Sequence, residues 1–405
     1  MIAADVTAAE IRNANAALHI KEVRQLLLDG VDLDRYGQVY VDNWGTERTD
    51  TYAVNTLIPK GFALDENDKD YVEYFFEEYA EQKNISVEES RNMWKQQQYT
   101  GIGYEDSEYE RYVTERQQPA LEAIRKYNEA VEAGTLKDQN GETITEKITF
   151  PIKFETLTSG ALNSDYKKYD NMWIENLNEK MNGCRIYRAG QYSDASLNLP
   201  ESTYMVDGQP EYPYFIVLGN SKVTSATEST YSYGAYYNFG LVMGWGPDYA
   251  DPLTYMNCYV ENGDMTQYCG YTADDLTYYL DNSGNLQSKE IAQEYTEMVV
   301  DAKHETSDTK LRYEKFAAAE YVLHEDMKVV RPAHMDTQGW TASVARIIGY
   351  ENPNATYGLA GQMMVGEWVL IDVPTAAERV AARAKQAELK AEEIAKTGLI
   401  AIYGE

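Results

Sequence analysis

Hydrophobic positions along the chain change period several times. From about Ile20 to Leu28, Val23, Leu26 and Leu27 fall at helical spacing before Asp29-Gly30, which predicts a short buried helix. Leu64 to Asp70 reads as a turn. Tyr71, Val72, Phe75, Phe76 and Tyr79 then mark one helix, and Ser86 with Glu89 has the spacing of a capping box for the next. Leu121, Ile124 and Val131 continue the helical pattern to Gly134, a C-terminal cap, and polar Lys137 to Glu146 reads as a loop. The period then shortens: Ile148, Phe150, Ile152 and Phe154 alternate as a half-buried strand does. Ser164 can cap a helix carrying Met172, Trp173, Leu177 and Met181, which Gly183 ends.

Tyr214 to Leu218 and Phe239 to Met243 are short apolar runs bounded by glycine, expected as neighbouring strands buried on both faces. Thr224 to Tyr237 between them, dense in Ser, Thr and Tyr, reads as an exposed loop. Ile291 to Val300 and Leu311 to Leu323 resume helical spacing, the second after a Ser307 cap. Gly366 to Val373 predicts a last strand and Thr375 to Lys396 a solvated helix. Strands alternating with helices indicate an α/β layer.

Length and charge narrow the function. A chain of 405 residues exceeds what one core usually organises, so two lobes, or one lobe with an insertion, are expected. With 36 Lys and Arg against 66 Asp and Glu, the net charge of −30 repels phosphate backbones and anionic membranes, which argues against nucleic-acid binding. No stretch reaches the roughly 20 apolar residues of a spanning helix, and Met1 to Ile11 lacks the basic and apolar regions of an export signal. Cys184, Cys258 and Cys269 are too irregular for a disulfide framework or a metal site; Cys258 and Cys269 could pair across a loop, but free thiols are the simpler reading. His19, His304, His324 and His334 are scattered and read as surface or satisfied core residues, so neither a metal nor a cofactor is expected. The 35 Tyr against 8 Phe offer apolar rings with polar tips suited to a half-wet cleft, or reflect compositional bias alone.

The segment with most chemical content is Phe239 to Tyr255. A buried strand runs into glycines flanking Trp245, then into a turn with two carboxylates, Asp248 and Asp251, and two prolines. Open α/β sheets bind ligands beyond their strand ends. Asp248 could present a fixed acceptor to a cation, with Trp245 and Tyr249 as flat surfaces; it could equally cap the turn, with Trp245 in the core.

Gly244-Trp245-Gly246-Pro247-Asp248-Tyr249-Ala250-Asp251-Pro252 resembles the Trp-x-x-Asp-Tyr-x-Asp-Pro segment of family 5 extracellular solute-binding proteins, which serve oligopeptide and dipeptide ABC transporters. Val23-Arg24-Gln25 with Val31-Asp32, the stretch Tyr313 to Asp326, and Gly349-Tyr350 with Asn352-Pro353 resemble other segments of that family in the same order. Leu33 stands where the family often has Arg, and Arg331-Pro332 replaces its aliphatic-Pro. The resemblance implies an α/β fold, the C-terminal lobe of a periplasmic-binding-protein-like (type II) domain with a helical insertion and part of the first lobe. It divides the chain into residues 1–58 opening that lobe, a mainly helical insertion at 59–146, an α/β ligand-binding lobe at 147–345, and a crossover with terminal helix at 346–405. Most of the N-terminal lobe is expected to be missing.

The resemblance also implies a non-catalytic function: capture of oligopeptides in an interlobe cleft and delivery to ABC transporter permease subunits, on the extracytoplasmic face of the membrane or in the periplasm. Asp248 maps onto the Asp that pairs with the peptide α-ammonium, Trp245, Gly246 and Tyr249 onto the adjacent pocket, and Tyr350 onto the crossover. Contact with membrane would come only through the transporter or a lipid anchor absent from this chain. The alternatives are a truncated lobe that binds nothing, a receptor for a nickel chelate or oligosaccharide, and a secreted glycoside hydrolase using Asp248 with Asp251.

Overall fold

The computed structural model describes residues 8–29, 56–94, 113–150, 152–158, 205–206, 209–210, 215–219, 239–241, 247, 249, 251–269, 271, 274–330 and 332, with seven helical positions between 377 and 395. Among the described residues helices combine with a parallel three-stranded sheet, consistent with the α/β class expected. The helices in chain order are α1 (Ala8–Leu18), α2 (Lys21–Asp29), α3 (Tyr71–Lys83), α4 (Val87–Met93), α5 (Gln118–Glu132), α6 (Leu253–Met256), α7 (Thr266–Cys269), α8 (Gln293–His304) and α9 (Thr309–Val322). The strands are β1 (Ile152–Thr158), β2 (Met205–Val206), β3 (Gln209–Pro210), β4 (Phe215–Gly219), β5 (Phe239–Leu241), β6 (Leu276–Leu280) and β7 (Leu286–Glu290).

The local signals act as the sequence predicts for several of these. Tyr71, Val72, Phe75, Phe76 and Tyr79 of α3 are all buried, and Asp70 caps the helix by accepting from Val72 N–H. Ser86 and Glu89 form the reciprocal capping box of α4. Gly134 takes φ +65° just beyond α5, and its N–H reaches the Val131 carbonyl. Lys137 to Glu146 closes on itself, with Lys137 bridged to Thr143 and Asp138 accepting from the Asn140 and Glu142 amides.

Three expectations need correction, and for one helix there was none. The runs at 214–218 and 239–243 are not sheet neighbours: β1 lies between β4 and β5, parallel to both, with Ile152 opposite Phe215 and Thr156 opposite Phe239. The alternating run at 148–154 becomes strand only from Ile152. Before that point the chain is anchored by side chains, Asn128 bonding both the N–H and carbonyl of Ile148 and Asn13 those of Thr149. The cap of α9 is Asp308, which accepts from Leu311 N–H; the Ser307 hydroxyl donates instead to Glu305 Oε1. Helix α1 carried no strong apolar period, because its buried positions include Ala14 and Ala17. The strand at 366–373 and the helix at 164–183 lie outside the described residues.

Among the described residues, the buried apolar side chains form two hydrophobic cores. One joins residues 57–94 to 256–327, with Tyr71, Phe75, Tyr79, Trp94, Tyr295 and Phe316 fully buried. The other joins α1 and α2 to α5, β1 and β6 through Ile20, Leu26, Ile124, Ile152 and Phe154. Arg24 on α2 ties them together: Nε and Nη2 donate to the Met327 carbonyl, Nη1 to that of Leu18 and Nη2 also to Thr277 Oγ1. Met327 ends a π-helical turn (Leu323–Met327) after α9, so Arg24 occupies a carbonyl that the wider turn leaves without a helical partner. Burial lowers the Arg24 pKa to about 10, still far above neutrality.

Candidate functional site

Strand β5 runs parallel to β1, and the turn singled out in the sequence follows it along the chain. Pro247 is half-buried and Tyr249 is 44% exposed. Asp251 closes the turn. Its N–H donates to the Tyr249 carbonyl at 3.1 Å, its Oδ1 accepts from Leu253 N–H at 2.9 Å, and its carbonyl accepts from Thr254 N–H. Pro252, with no N–H to satisfy, then starts α6.

Arg312, on the first turn of α9, holds Asp251 from the other side. Nε donates to Oδ2 at 3.0 Å and Nη2 to Oδ1 at 2.8 Å, a bidentate pair that a lysine cannot reproduce. Nη1 donates to the carbonyls of Ala302, Lys303 and Glu305 at the C-terminal end of α8, where a positive charge meets the negative end of the helix dipole. The guanidinium also stacks over Phe316, 4.8 Å from its centroid. One side chain therefore joins the turn to two helices.

The loop before α3 packs against the same region. Phe62 meets Tyr255 edge to face at 5.1 Å, and the Tyr313 hydroxyl donates to the Leu64 carbonyl. Leu64 is itself 46% exposed, so two apolar side chains, Leu64 and Tyr249, face solvent on segments that meet through Tyr255 and Tyr313. The described part of the turn is thus supported by α6, α8 and α9.

Of the residues predicted from the sequence, Tyr249 is in the exposed part of this turn. Trp245, Gly246, Asp248 and Tyr350 lie outside the described residues. Asp251, the partner carboxylate in the hydrolase alternative, is engaged on both oxygens by Arg312. Arg312 was missed because nothing local marks it: the pair spans 61 residues. Cys258 and Cys269 are not disulfide-bonded; the first donates to the Thr254 carbonyl, and burial pushes the Cys269 thiol up to about 12. Cys184 and His334 lie outside the described residues. His324 is buried against Glu320, and His19 Nδ1 lies 2.9 Å from the Leu276 carbonyl. Among the described residues, no group of three or more His, Cys, Asp or Glu could hold a metal ion, and no helix is long and apolar enough to cross a membrane.

No family model matches the chain. Oligopeptide-binding protein AmiA of Streptococcus pneumoniae serotype 4 is 33% identical over 122 residues, which are 29% of this chain and 17% of that protein. Over that stretch the chain is similar to oligopeptide-binding proteins. AliB of the same organism is 32% identical over 132 residues, 32% of this chain and 18% of AliB. SarA of Streptococcus gordonii, also an oligopeptide-binding protein, is 29% identical over 124 residues, 30% of this chain and 17% of SarA. The matches span under a fifth of these relatives' own length. Among solved structures, the substrate-binding domain of an oligopeptide ABC transporter from Bacillus anthracis str. Ames overlaps 77% of this chain and 39% of its own, at TM-score 0.41 and 16% identity. The pheromone receptor PrgZ, solved for its mode of peptide binding, overlaps 76% and 38%, at TM-score 0.37 and 14% identity.

Proposed function

We propose that this chain carries the C-terminal, ligand-binding lobe of the substrate-binding component of an ABC importer, and that it takes oligopeptides in a cleft and passes them to permease subunits. The observation that carries this reading is the 33% identity to an oligopeptide-binding protein, together with the Trp245 to Pro252 motif that follows strand β5 in sequence. In this reading residues 1–58 open the lobe, 59–146 form a mainly helical insertion, 147–345 make up the α/β ligand-binding lobe, and 346–405 cross back to a first-lobe strand and a terminal helix. On the same reading the protein works on the extracytoplasmic face of the membrane or in the periplasm, where it meets its transporter.

Binding needs no bond to break. Asp248 accepts the peptide α-ammonium, with Trp245, Gly246 and Tyr249 forming the adjacent pocket and Tyr350 standing at the crossover. A charge-assisted hydrogen bond of this kind contributes about 1.5–3 kcal/mol, roughly 10- to 150-fold in affinity. Main-chain contacts, indifferent to sequence, supply the remainder and let one cleft accept many peptides. The engagement of Asp251 by Arg312 favours this over hydrolysis, which requires two carboxylates free to act on one sugar.

Thermal unfolding with added ligand tests the proposal. A peptide that binds only the native state at a hundredfold excess over Kd adds about 2.7 kcal/mol of stability. Free-amine oligopeptides should stabilise the chain, their N-acetylated forms much less, and Asp248→Asn should erase the difference. Stabilisation by nickel-histidine or by oligosaccharides with none by peptides would assign a different solute. A cooperative melt unmoved by any of them would refute the receptor reading for this chain.

A further inference from the structure

We propose that the turn Leu323–Met327 is a conformational joint between the two cores, pinned by Arg24: with the cation in place the cores open as one cooperative unit, and without it the core of α1, α2 and α5 opens by itself. The inference is independent of the ligand reading.

Successive residues of the turn face different cores. The His324 ring packs into the first core, its centroid 4.8 Å from that of Trp94 and 5.8 Å from that of Phe75, with Nε2 3.3 Å from Glu320 Oε1. Glu325 accepts at 2.6 Å from Lys83, the last residue of α3. The next two residues reach the second core. Asp326 accepts from Lys21 of α2 at 3.1 Å and lies 4.0 Å from Lys289 of β7, and the Met327 carbonyl accepts from both Nε and Nη2 of Arg24, at 3.0 and 2.8 Å. Met327 itself spans the boundary, because its side chain is buried in the first core while its carbonyl is held from the second. The helix stops here: Lys328 takes a left-handed φ of +50° and its N–H closes back on the Leu323 carbonyl, so the carbonyls at this end have no helical partner and depend on donors from elsewhere.

Arg24 is the pin because it is the buried member of this set. The Lys21 and Asp326 side chains are 23% and 34% exposed, and solvent screens that pair. Arg24 is only 7% exposed, and its charge is met by carbonyl and hydroxyl oxygens. Besides the bonds to Met327, Nη1 donates at 2.7 Å to the carbonyl of Leu18, the last residue of α1, and Nη2 donates at 2.9 Å to Thr277 Oγ1 on β6, which in turn donates to the His19 carbonyl. The negative ends of two helices, one from each core, converge on one guanidinium. A lysine does not reproduce this, since a single ammonium cannot span Met327, Leu18 and Thr277 together. Removing the cation takes a buried donor from both sides of the boundary at once, whereas cutting a bond inside either core leaves the boundary intact.

Native-state hydrogen exchange at rising urea tests the joint by following the amides of α1, α2 and α5 against those of α3 and α9. In the wild-type chain the two sets should converge on one opening reaction; two separate openings would overturn the proposal without any variant. Arg24→Lys and Arg24→Met should speed exchange in α1, α2 and α5 by roughly 10- to 100-fold, as expected when buried carbonyls lose a donor, and in α3 and α9 by less than about threefold. Arg116→Gln is the control, because it cuts the 2.6 Å pair with Asp29 inside the second core and leaves the joint untouched. Both sets should then accelerate together, within about twofold of each other. Equal acceleration of both sets in the Arg24 variants would reduce Arg24 to a structural residue, and no acceleration would remove it altogether; either overturns the proposal. Acceleration of the second core alone in Arg116→Gln would show that the cores are already independent and overturn it as well. If neither Arg24 variant folds, wild-type convergence and the Arg116→Gln response decide.

Discussion

Glu320 is fully buried on α9, and it is the acceptor on which three segments converge. Leu57 N–H donates to Oε1 at 2.5 Å, the Tyr71 hydroxyl to Oε2 at 2.9 Å, and His324 Nε2 lies 3.3 Å from Oε1. The donor role of Tyr71 is secure, because burial and the neighbouring Glu320 push its pKa well above the usual phenol value. Glu320→Gln preserves shape but replaces one oxygen with an NH2, so one of the two donors must face another donor. The cost is that of a lost charge-assisted bond, about 1.5–3 kcal/mol. Glu320→Ala orphans both donors, at about 1–3 kcal/mol each, and opens a cavity. Its total, about 4–6 kcal/mol, is a large part of the 5–15 kcal/mol that typically separates folded from unfolded chains. Tyr71→Phe alone should cost about 1–2 kcal/mol, but in the Glu320→Ala background it removes an orphan and should cost little, a coupling of about 1–2 kcal/mol. Urea unfolding followed by circular dichroism measures each term. Glu320→Gln within about 0.5 kcal/mol of wild type, or strict additivity of Tyr71→Phe with Glu320→Ala, would refute the reasoning.

Three further substitutions probe other links. A Cβ at Gly263 would stand 2.4 Å from the Asn257 carbonyl oxygen and 2.5 Å from that of Cys258, so Gly263→Ala should cost more than about 2 kcal/mol by thermal melting; Gly141→Ala, where φ is +77° but space is open, should cost only about 1. Burial alone would raise the Glu325 pKa, but Lys328 and Lys83 outweigh it and hold the group at about 2, against an ordinary 4.5. That stabilisation, up to about 3 kcal/mol, is present above pH 4.5 and fades as pH falls toward 2; a Glu325→Gln variant should show a flatter acid limb of urea midpoint against pH, and an unchanged limb would contradict the pairing. Asp308→Ala should cost about 1 kcal/mol as a lost helix cap and Ser307→Ala distinctly less, with the reverse order in urea midpoints restoring Ser307 as the cap.

What the sequence made legible follows from the range of the interactions. Tyr71 to Tyr79 could be read as one helix, because each apolar position meets its neighbour within two turns and Asp70 caps that helix from the adjacent position. Ser86 and Glu89 were visible as a capping box for the same reason, since both bonds close within three residues. Strand order was not visible. Ile152 and Phe154 alternate with polar positions and so suggested one wet face, while β4 and β5 looked buried; the pairing of Ile152 with Phe215 spans 63 residues and leaves no local period. Asp308 and Ser307 are both competent caps, and the choice fell to Asp308 because Glu305 occupies the Ser307 hydroxyl and N–H.

The candidate site divides along the same line, and it shows why composition cannot find a binding carboxylate in so acidic a chain. With 66 acidic residues against 36 basic ones, a carboxylate in a turn is unremarked. What singles one out is the set of others withdrawn from use: Asp29 is held by Arg116, Asp251 by Arg312, Glu325 by Lys83, and Glu320 by Leu57 and Tyr71. Each of these holds joins residues far apart in the chain. The motif from Trp245 to Pro252 announces a turn with two carboxylates, but nothing within it tells which of the two is already spoken for. The hold on Asp251 comes from Arg312 on α9, a residue that the motif does not contain.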